Sequence, residues 1–377
     1  MILKRVLLLA VLLAVFSASA GCAGEPAAPS PTATPPQPTP TAAVNAPTAD
    51  IAPATAVPDN AALFRVGLVT DGGTVDDDSL NQGAYQGLQR AAEAFDLDLN
   101  TIESVQPGDF AANMETFISA GYDLIVTVGP LMAETTRAMA EAYPDTRFVA
   151  VDVAYETTPD NLMGLAFRED QMGFLAGALA GLISESQTVG VVAGEDTPAT
   201  RRLRNGYEAG VRHVCADCVV VTLVLDSSTD PARGRTAALS QTAEGADVIF
   251  GVGGPTGSGA LLGATQQEVW ALGVDQDAYY TTFEAGAASG VDKLLSSAVK
   301  RADNAVFGIV QEAALGDFSP GTRWLDASSA GVDLAPFHTA ESAVSDEIRE
   351  KLAEVLRMLA SGELDTGVDP VSGEETR

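Results

Sequence analysis

The chain has 377 residues, 46% of them apolar, and carries 51 Asp and Glu against 21 Lys and Arg, a formal charge of −30. So acidic a surface repels phosphates and anionic headgroups, which argues against nucleic acid as a partner. Length and apolar content suffice for a large two-lobed body or for two small domains.

Lys4 and Arg5 precede the short apolar run Val6 to Phe16 and the small residues Ser17 to Gly21, the order of a secretory signal peptide over residues 1–21. A membrane span needs roughly 20 apolar residues, more than this run supplies. Ala20-Gly21-Cys22 resembles the end of a bacterial lipobox, with Ser19 where leucine is usual. That resemblance implies acylation of Cys22 and a chain anchored outside the cytoplasm by an N-terminal lipid. Residues 22–62 are rich in Pro, Ala and Thr and nearly uncharged. Such a segment buries too little apolar surface to offset its ordering entropy. It is expected to be a tether, reaching on the order of 100 Å if polyproline-like.

From Phe64 onward, short apolar runs alternate with amphipathic stretches. Phe64 to Val69 reads as a strand. Leu80, Ala84, Leu88, Ala91, Ala92 and Phe95 follow at helical spacing. Leu124 to Val128, Phe148 to Val151, Leu162 to Phe167, Val189 to Ala193, Val219 to Leu225, Val248 to Gly251 and Val269 to Val274 continue the strand series. Gln171 to Ile183 is a helix rich in small residues. Ile348, Leu352, Val355, Leu356 and Leu359 mark a final amphipathic helix with Ser345 as its N-cap. This alternation predicts parallel sheets covered by helices, and about nine strands are too many for one simple sheet. Two lobes are expected, 63–167 with about 280–315 and 168–279 with about 316–362, and then a C-terminal tail over 363–377.

Ligands of open α/β sheets sit off the carboxyl ends of the strands. Polar and glycine-rich segments recur at those places: Thr70 to Gly73, Gly129-Pro130, Asp152, Gly194 to Asp196, Asp226 to Asp230, Gly251 to Gly259 and Gly273 to Asp277. Any one of them is an ordinary turn, but the series points to a cleft. Enzyme motifs are poorly matched. Ser297 to Lys300 satisfies S-x-x-K without companion motifs. Gly251 to Gly259 fits neither a dinucleotide fingerprint nor a P-loop. Asp76 to Asp78 lacks calcium-loop spacing, and the two histidines stand far apart. No catalytic residue, cofactor or metal is expected. Cys215 and Cys218 are too few for a structural zinc site without further ligands, and they read either as a local disulfide or as two thiols.

Val66 to Leu88 (VGLVTDGGTVDDDSLNQGAYQGL) resembles the opening motif of the basic membrane protein family, the substrate-binding lipoproteins of ABC transporters that include purine nucleoside receptor A. Phe167 to Gly181, Arg204 to Gly210, Val248 to Gly259, Gly273 to Asp277 and Ser297 to Asp303 match in family order, over roughly 64–362. The resemblance implies a type I periplasmic-binding-protein fold, two doubly wound lobes joined by a multi-stranded hinge. It implies a small polar solute such as a nucleoside, an ABC permease as partner, and delivery by cleft closure. The ligand contacts it implies are Thr70, Asp71, Ser79, Leu80, Asn81, Asp152, Gly253, Gly254, Asp275 and Lys300. Carboxylates would accept hydroxyl protons from a ribose and the lysine would donate to it, with Asp275 opposed to Lys300. The family's two base-stacking phenylalanines fall at Leu80 and near Ser227 to Thr229, neither aromatic here. Tyr85, Phe167, Tyr207 and Trp270 are the aromatic residues that could compensate. An envelope-anchored sensor using the same cleft is the alternative to a transport receptor, and a small-glycoside hydrolase is a weaker third.

Overall fold

Runs of branched apolar residues become strands where both faces of a sheet are covered, and Leu124–Val128 and Arg147–Val151 are buried almost throughout for that reason. The computed structural model describes residues 63–376. The expected signal peptide, Cys22 and the tether lie outside the described residues. Among these, the first lobe contains β1 (Arg65–Val69), β2 (Asp98–Ile102), β3 (Leu124–Val128), β4 (Arg147–Val151), β5 (Leu162–Phe167) and β11 (Gly321–Leu325). These pair in the order β11-β5-β4-β3-β1-β2, all parallel. The second sheet contains β6 (Thr188–Ala193), β7 (Val219–Val224), β8 (Val248–Val252), β9 (Trp270–Asp275), β10 (Leu294–Lys300) and β12 (Val332–Leu334). Its order is β12-β10-β9-β8-β6-β7, with only β12 antiparallel.

Twelve strands among the described residues thus replace the roughly nine expected. β2 is a polar edge strand, β12 has three residues, and β11 mixes Arg and Trp with small residues, so none carries a clear apolar period. β10 hides two serines mid-strand: Ser296 Oγ donates to Ala335 O at 2.7 Å, and Ser297 Oγ accepts from Ala278 N at 3.0 Å. The expected lobe boundary near 280 is also corrected. β10 bonds to β9 and β12 in the second sheet, so the chain crosses only after Lys300. β11, expected in the second lobe, pairs with β5 in the first.

Helices α1 (Leu80–Phe95), α2 (Phe110–Ser119) and α3 (Ala133–Ala142) belong to the first lobe. Ala84, Leu88 and Ala91 of α1 are fully buried, as their spacing requires. Chain crossings run from β5 into α4 (Glu169–Ile183), from β10 into α8 (Ala302–Ala314), and from β11 to β12. The first two share one design. Arg168 forks onto Asp170 at 2.7 and 2.7 Å, and Arg301 onto Asp303 at 2.8 and 2.8 Å. Both arginine N–H groups donate to the third crossing, at Leu325 O and Gly331 O. The three strands of chain are thereby stitched into one hinge.

In the second lobe α4 lies against α5 (Pro198–Val214) at backbone contact: a Cβ on Gly173 would stand 2.1 Å from Leu203 O. Helices α6 (Pro231–Ala243), α7 (Gly254–Thr265) and α9 (Asp346–Ser361) complete that lobe. Ser345 caps α9, accepting from Ile348 N at 3.3 Å. The tail after α9 lies along α4 and α5, where Thr366 Oγ1 donates to Asp170 at 2.6 Å and Asn205 Nδ2 to Gly373 O at 2.6 Å.

Cys215 and Cys218 form a disulfide between the end of α5 and the start of β7. A loop this short limits the entropy it removes from the unfolded chain. Replacing both cysteines with alanine is expected to lower stability by about 2 kcal/mol. The check is a urea midpoint, which reductant should shift in the parent protein and leave unmoved in the variant.

Candidate functional site

Four strand ends converge where the sheets face each other. Lys300 ends β10 and is buried, its side chain 8% exposed. Its Nζ donates to both oxygens of Asp152, each at 2.9 Å, from just beyond β4 of the first sheet. Glu169, at the first turn of α4, stands 3.3 Å away, and Asp275, the last residue of β9, 3.2 Å away. The Phe167 ring lies beneath, its centroid 5.8 Å from Nζ. One ammonium therefore serves three carboxylates. Burial lowers the Lys300 pKa, but the charges of Asp152, Asp275 and Glu169 outweigh it and hold the group well above the ordinary lysine range.

Asp152 and Asp275 both have left-handed backbone, φ 64° and 68°. Non-glycine residues seldom adopt it, and such strain concentrates where a side chain must be aimed. Here it lies at the matching strand end of each lobe. Asp275 and Lys300 sit on neighbouring strands of one sheet, so they are side by side and not opposed across the gap, as the sequence had suggested. The partner facing Lys300 from the other lobe is Asp152.

Above this cluster, Asp71 follows β1 and packs so closely on Gly129 that a Cβ there would stand 2.0 Å from its carboxylate. Asn81 Nδ2 donates to Asp71 Oδ1 at 3.4 Å. Burial, then the charges of Asp77 and Asp152, push the Asp71 carboxyl up despite the Asn81 bond. Asn81 Oδ1 is sealed from solvent with no hydrogen-bond donor among the described residues, and Asp275 Oδ1 has only the Lys300 ammonium, 3.2 Å away. The unmet Asn81 oxygen, the Asp71 and Asp275 carboxylates and a lysine, all at strand ends, suit a ligand rich in hydroxyl or N–H donors.

Other expected contacts have structural work to do. Thr70 is fully buried; its hydroxyl donates to Gly73 O at 2.6 Å and accepts from Ser104 N at 3.2 Å. Ser79 caps α1, accepting from Asn81 N at 3.0 Å. Leu80 is half-buried against the core. Gly253 and Gly254 open α7 with φ 88° and 59°, and Gly253 crowds Gly194 so closely that a Cβ there would stand 2.9 Å from Gly194 N. Ser228 Oγ accepts from Glu195 N at 3.0 Å. Among the aromatic candidates, Tyr207 is buried and stacked on Phe250, Tyr85 packs on the core, and Trp270 starts β9 at the end of the sheet away from Asp275. Only Phe167 reaches the cluster, from below.

Sequence reading missed Glu169 and Gln276. Glu169 lies in the matching segment Phe167 to Gly181, two residues beyond a strand, but its burial is set by the fold and was not visible in the sequence. Gln276 lies within the strand-end segment Gly273 to Asp277, but nothing in that segment assigned its side chain a role. A cavity of about 540 Å³ also opens beside Asp275 and Gln276, walled by Pro255, Leu262 and Val274 and rimmed by the Ser258 and Thr282 hydroxyls.

A family model described as ABC transporter substrate-binding protein, PnrA-like, matches residues 64–359. The chain is similar to a CD4+ T-cell-stimulating antigen of Listeria monocytogenes, 29% identical over 80% of this chain and 87% of the relative. It is also similar to an ABC transporter nucleoside-binding protein, BmpA, of Lactococcus lactis, at 27% over 78% and 87% respectively. Among solved structures, an ABC-transporter solute-binding protein of Conexibacter woesei superposes with TM-score 0.67 at 23% identity, covering 81% of this chain and 98% of that one. A solute-binding protein from Aeropyrum pernix gives 0.62 at 23%, covering 80% and 92%. These superpositions agree with the type I periplasmic-binding-protein fold expected from the sequence.

Proposed function

The chain belongs to the PnrA-like family of ABC-transporter substrate-binding proteins, and from that premise we propose that it captures a nucleoside or nucleoside-like solute between its lobes and carries it to an importer. The observation that carries this reading is the ring of Asp152, Glu169 and Asp275 around Lys300, facing Asp71 and Asn81 at the strand ends. Vicinal hydroxyls can donate to Asp71 and Asp275 while Lys300, already oriented, donates to a ribose oxygen. The name of the Lactococcus relative supports nucleoside as the class. With Leu80 and Ser227 to Thr229 in place of stacking rings, recognition rests on hydroxyl contacts more than on the base. Stacking contributes roughly 1–3 kcal/mol per base, so affinity for a free base should be weak.

Cys22 anchors the protein by lipid outside the cytoplasm, and residues 22–62 join that anchor to the body. The closed state is favoured by whatever contacts the ligand makes in it alone, and the permease reads that state. Family membership favours transport over sensing.

A thermal-shift screen tests the assignment, because a ligand bound only to the native state raises its melting temperature. Ribonucleosides should stabilise the protein, 2′-deoxyribonucleosides less, and 5′-phosphates least, since a phosphate meets a cluster of excess negative charge. Equal shifts for nucleosides and their phosphates, or none for any nucleoside, would remove nucleosides as the class.

A further inference from the structure

Gln276 follows Asp275 directly, yet its side chain reaches the other lobe. With its amide turned to satisfy both ends, Nε2 donates to Asp78 O at 3.3 Å and Oε1 accepts from Leu80 N at 3.1 Å. Leu80 N is the first N–H of α1, one of those a helix cannot satisfy from within. Gln276 thus fills a vacancy that the first lobe leaves at the edge of the cleft.

The loop carrying it is braced from behind. Ala278 N donates to Ser297 Oγ at 3.0 Å. His338 Nε2 lies 2.7 Å from Asp277 Oδ2, and the His338 ring stacks on Tyr279 with centroids 4.0 Å apart. Tyr279 N donates to Asp277 Oδ1 at 3.1 Å. These contacts all lie within the second lobe, so they hold the loop rigid without themselves joining the lobes. Only the Gln276 amide makes the crossing in this loop's hydrogen bonds.

We propose that Gln276 is an inter-lobe latch and an affinity-determining positioning residue: it touches no ligand-facing carboxylate, but it engages the main chain of the first lobe when the cleft closes. Consecutive residues divide the work. The left-handed turn at Asp275 sends one side chain to Lys300 and the next across the gap. A solute that draws Asp275 into place therefore sets the latch, and an engaged latch holds Asp275 ready. The coupling to ligand rests on the cleft being the solute site, while the latch itself does not need a ligand to be seen.

The test compares the full exported chain with Gln276→Met, which keeps length and bulk but removes both hydrogen bonds, and with Gln276→Ala. Small-angle scattering without added solute is expected to show a larger radius of gyration in both variants, with unchanged urea midpoints. With the best nucleoside from the screen, stopped-flow binding should show a dissociation rate raised about tenfold and an association rate changed less than twofold, as two ordinary hydrogen bonds imply. Superimposable scattering of parent and Gln276→Met overturns the latch. Altered scattering with an unaltered dissociation rate overturns its coupling to affinity. If no nucleoside binds, scattering alone still decides the latch, so failure of the ligand class and failure of the latch are told apart.

Discussion

Replacing Lys300 with methionine is expected to destabilise the protein by about 3 kcal/mol or more at neutral pH, because removing one partner of a buried ion cluster leaves the others unpaired. Three carboxylates lose their common ammonium, and two of them, Asp152 and Glu169, are themselves largely buried, with side chains 18% and 6% exposed. Methionine fills similar space, so the loss reports charge and not a cavity. The pH dependence follows from the direction of the lysine shift. Its folded pKa lies above the ordinary 10.5, so its stabilisation is complete below that value and is lost as pH rises through the folded pKa. The gap between parent and Lys300→Met in urea titrations should therefore persist from neutral pH to about 10.5 and close only beyond it. Equal midpoints at pH 7 would contradict the cluster as a stabilising unit.

The companion change, Asp275→Ala, separates binding from stability. Asp275 is the most exposed of the three acids, its side chain 43% accessible, and without it Lys300 keeps Asp152 and Glu169. Folding should suffer little. Binding should suffer strongly, because a charge-assisted hydrogen bond contributes about 1.5–3 kcal/mol, or more than tenfold in affinity. Isothermal calorimetry with a nucleoside found by thermal shift is the measurement. Affinity within twofold of the parent would take Asp275 out of the site, and a collapsed urea midpoint would make its role structural.

How legible this was in the sequence differs from element to element. α1 was readable from its helical spacing, and Ala84, Leu88 and Ala91 are buried as that spacing requires, whereas Ser79, expected as a ligand contact, caps the helix. β3, β4 and β5 were readable because continuous apolar runs flanked by turns have few other uses. β10 was not, since Ser296 and Ser297 interrupt its run and are made tolerable only by Ala335 O and Ala278 N, both distant in the chain. The lobe boundary failed for the same reason. The segment 276–293 shows no strand period, and it folds back on the second lobe through Ser297 and His338, so the boundary expected near 280 falls inside that lobe.

The chain's own residues determined the α/β class, the two-lobed plan, the strand-end placement of Asp71, Asp152, Asp275 and Lys300, and the resemblance that the family match upholds. These depend on local periodicity and on motifs read in order, which need no knowledge of distant contacts. Only the tertiary structure decided that Lys300 pairs chiefly with Asp152 of the other lobe, that Glu169 joins them, and that Gln276 spans the gap. Each of those depends on which strand ends the hinge brings within hydrogen-bond reach. That distance is set by packing between segments more than a hundred residues apart, and no local pattern encodes it.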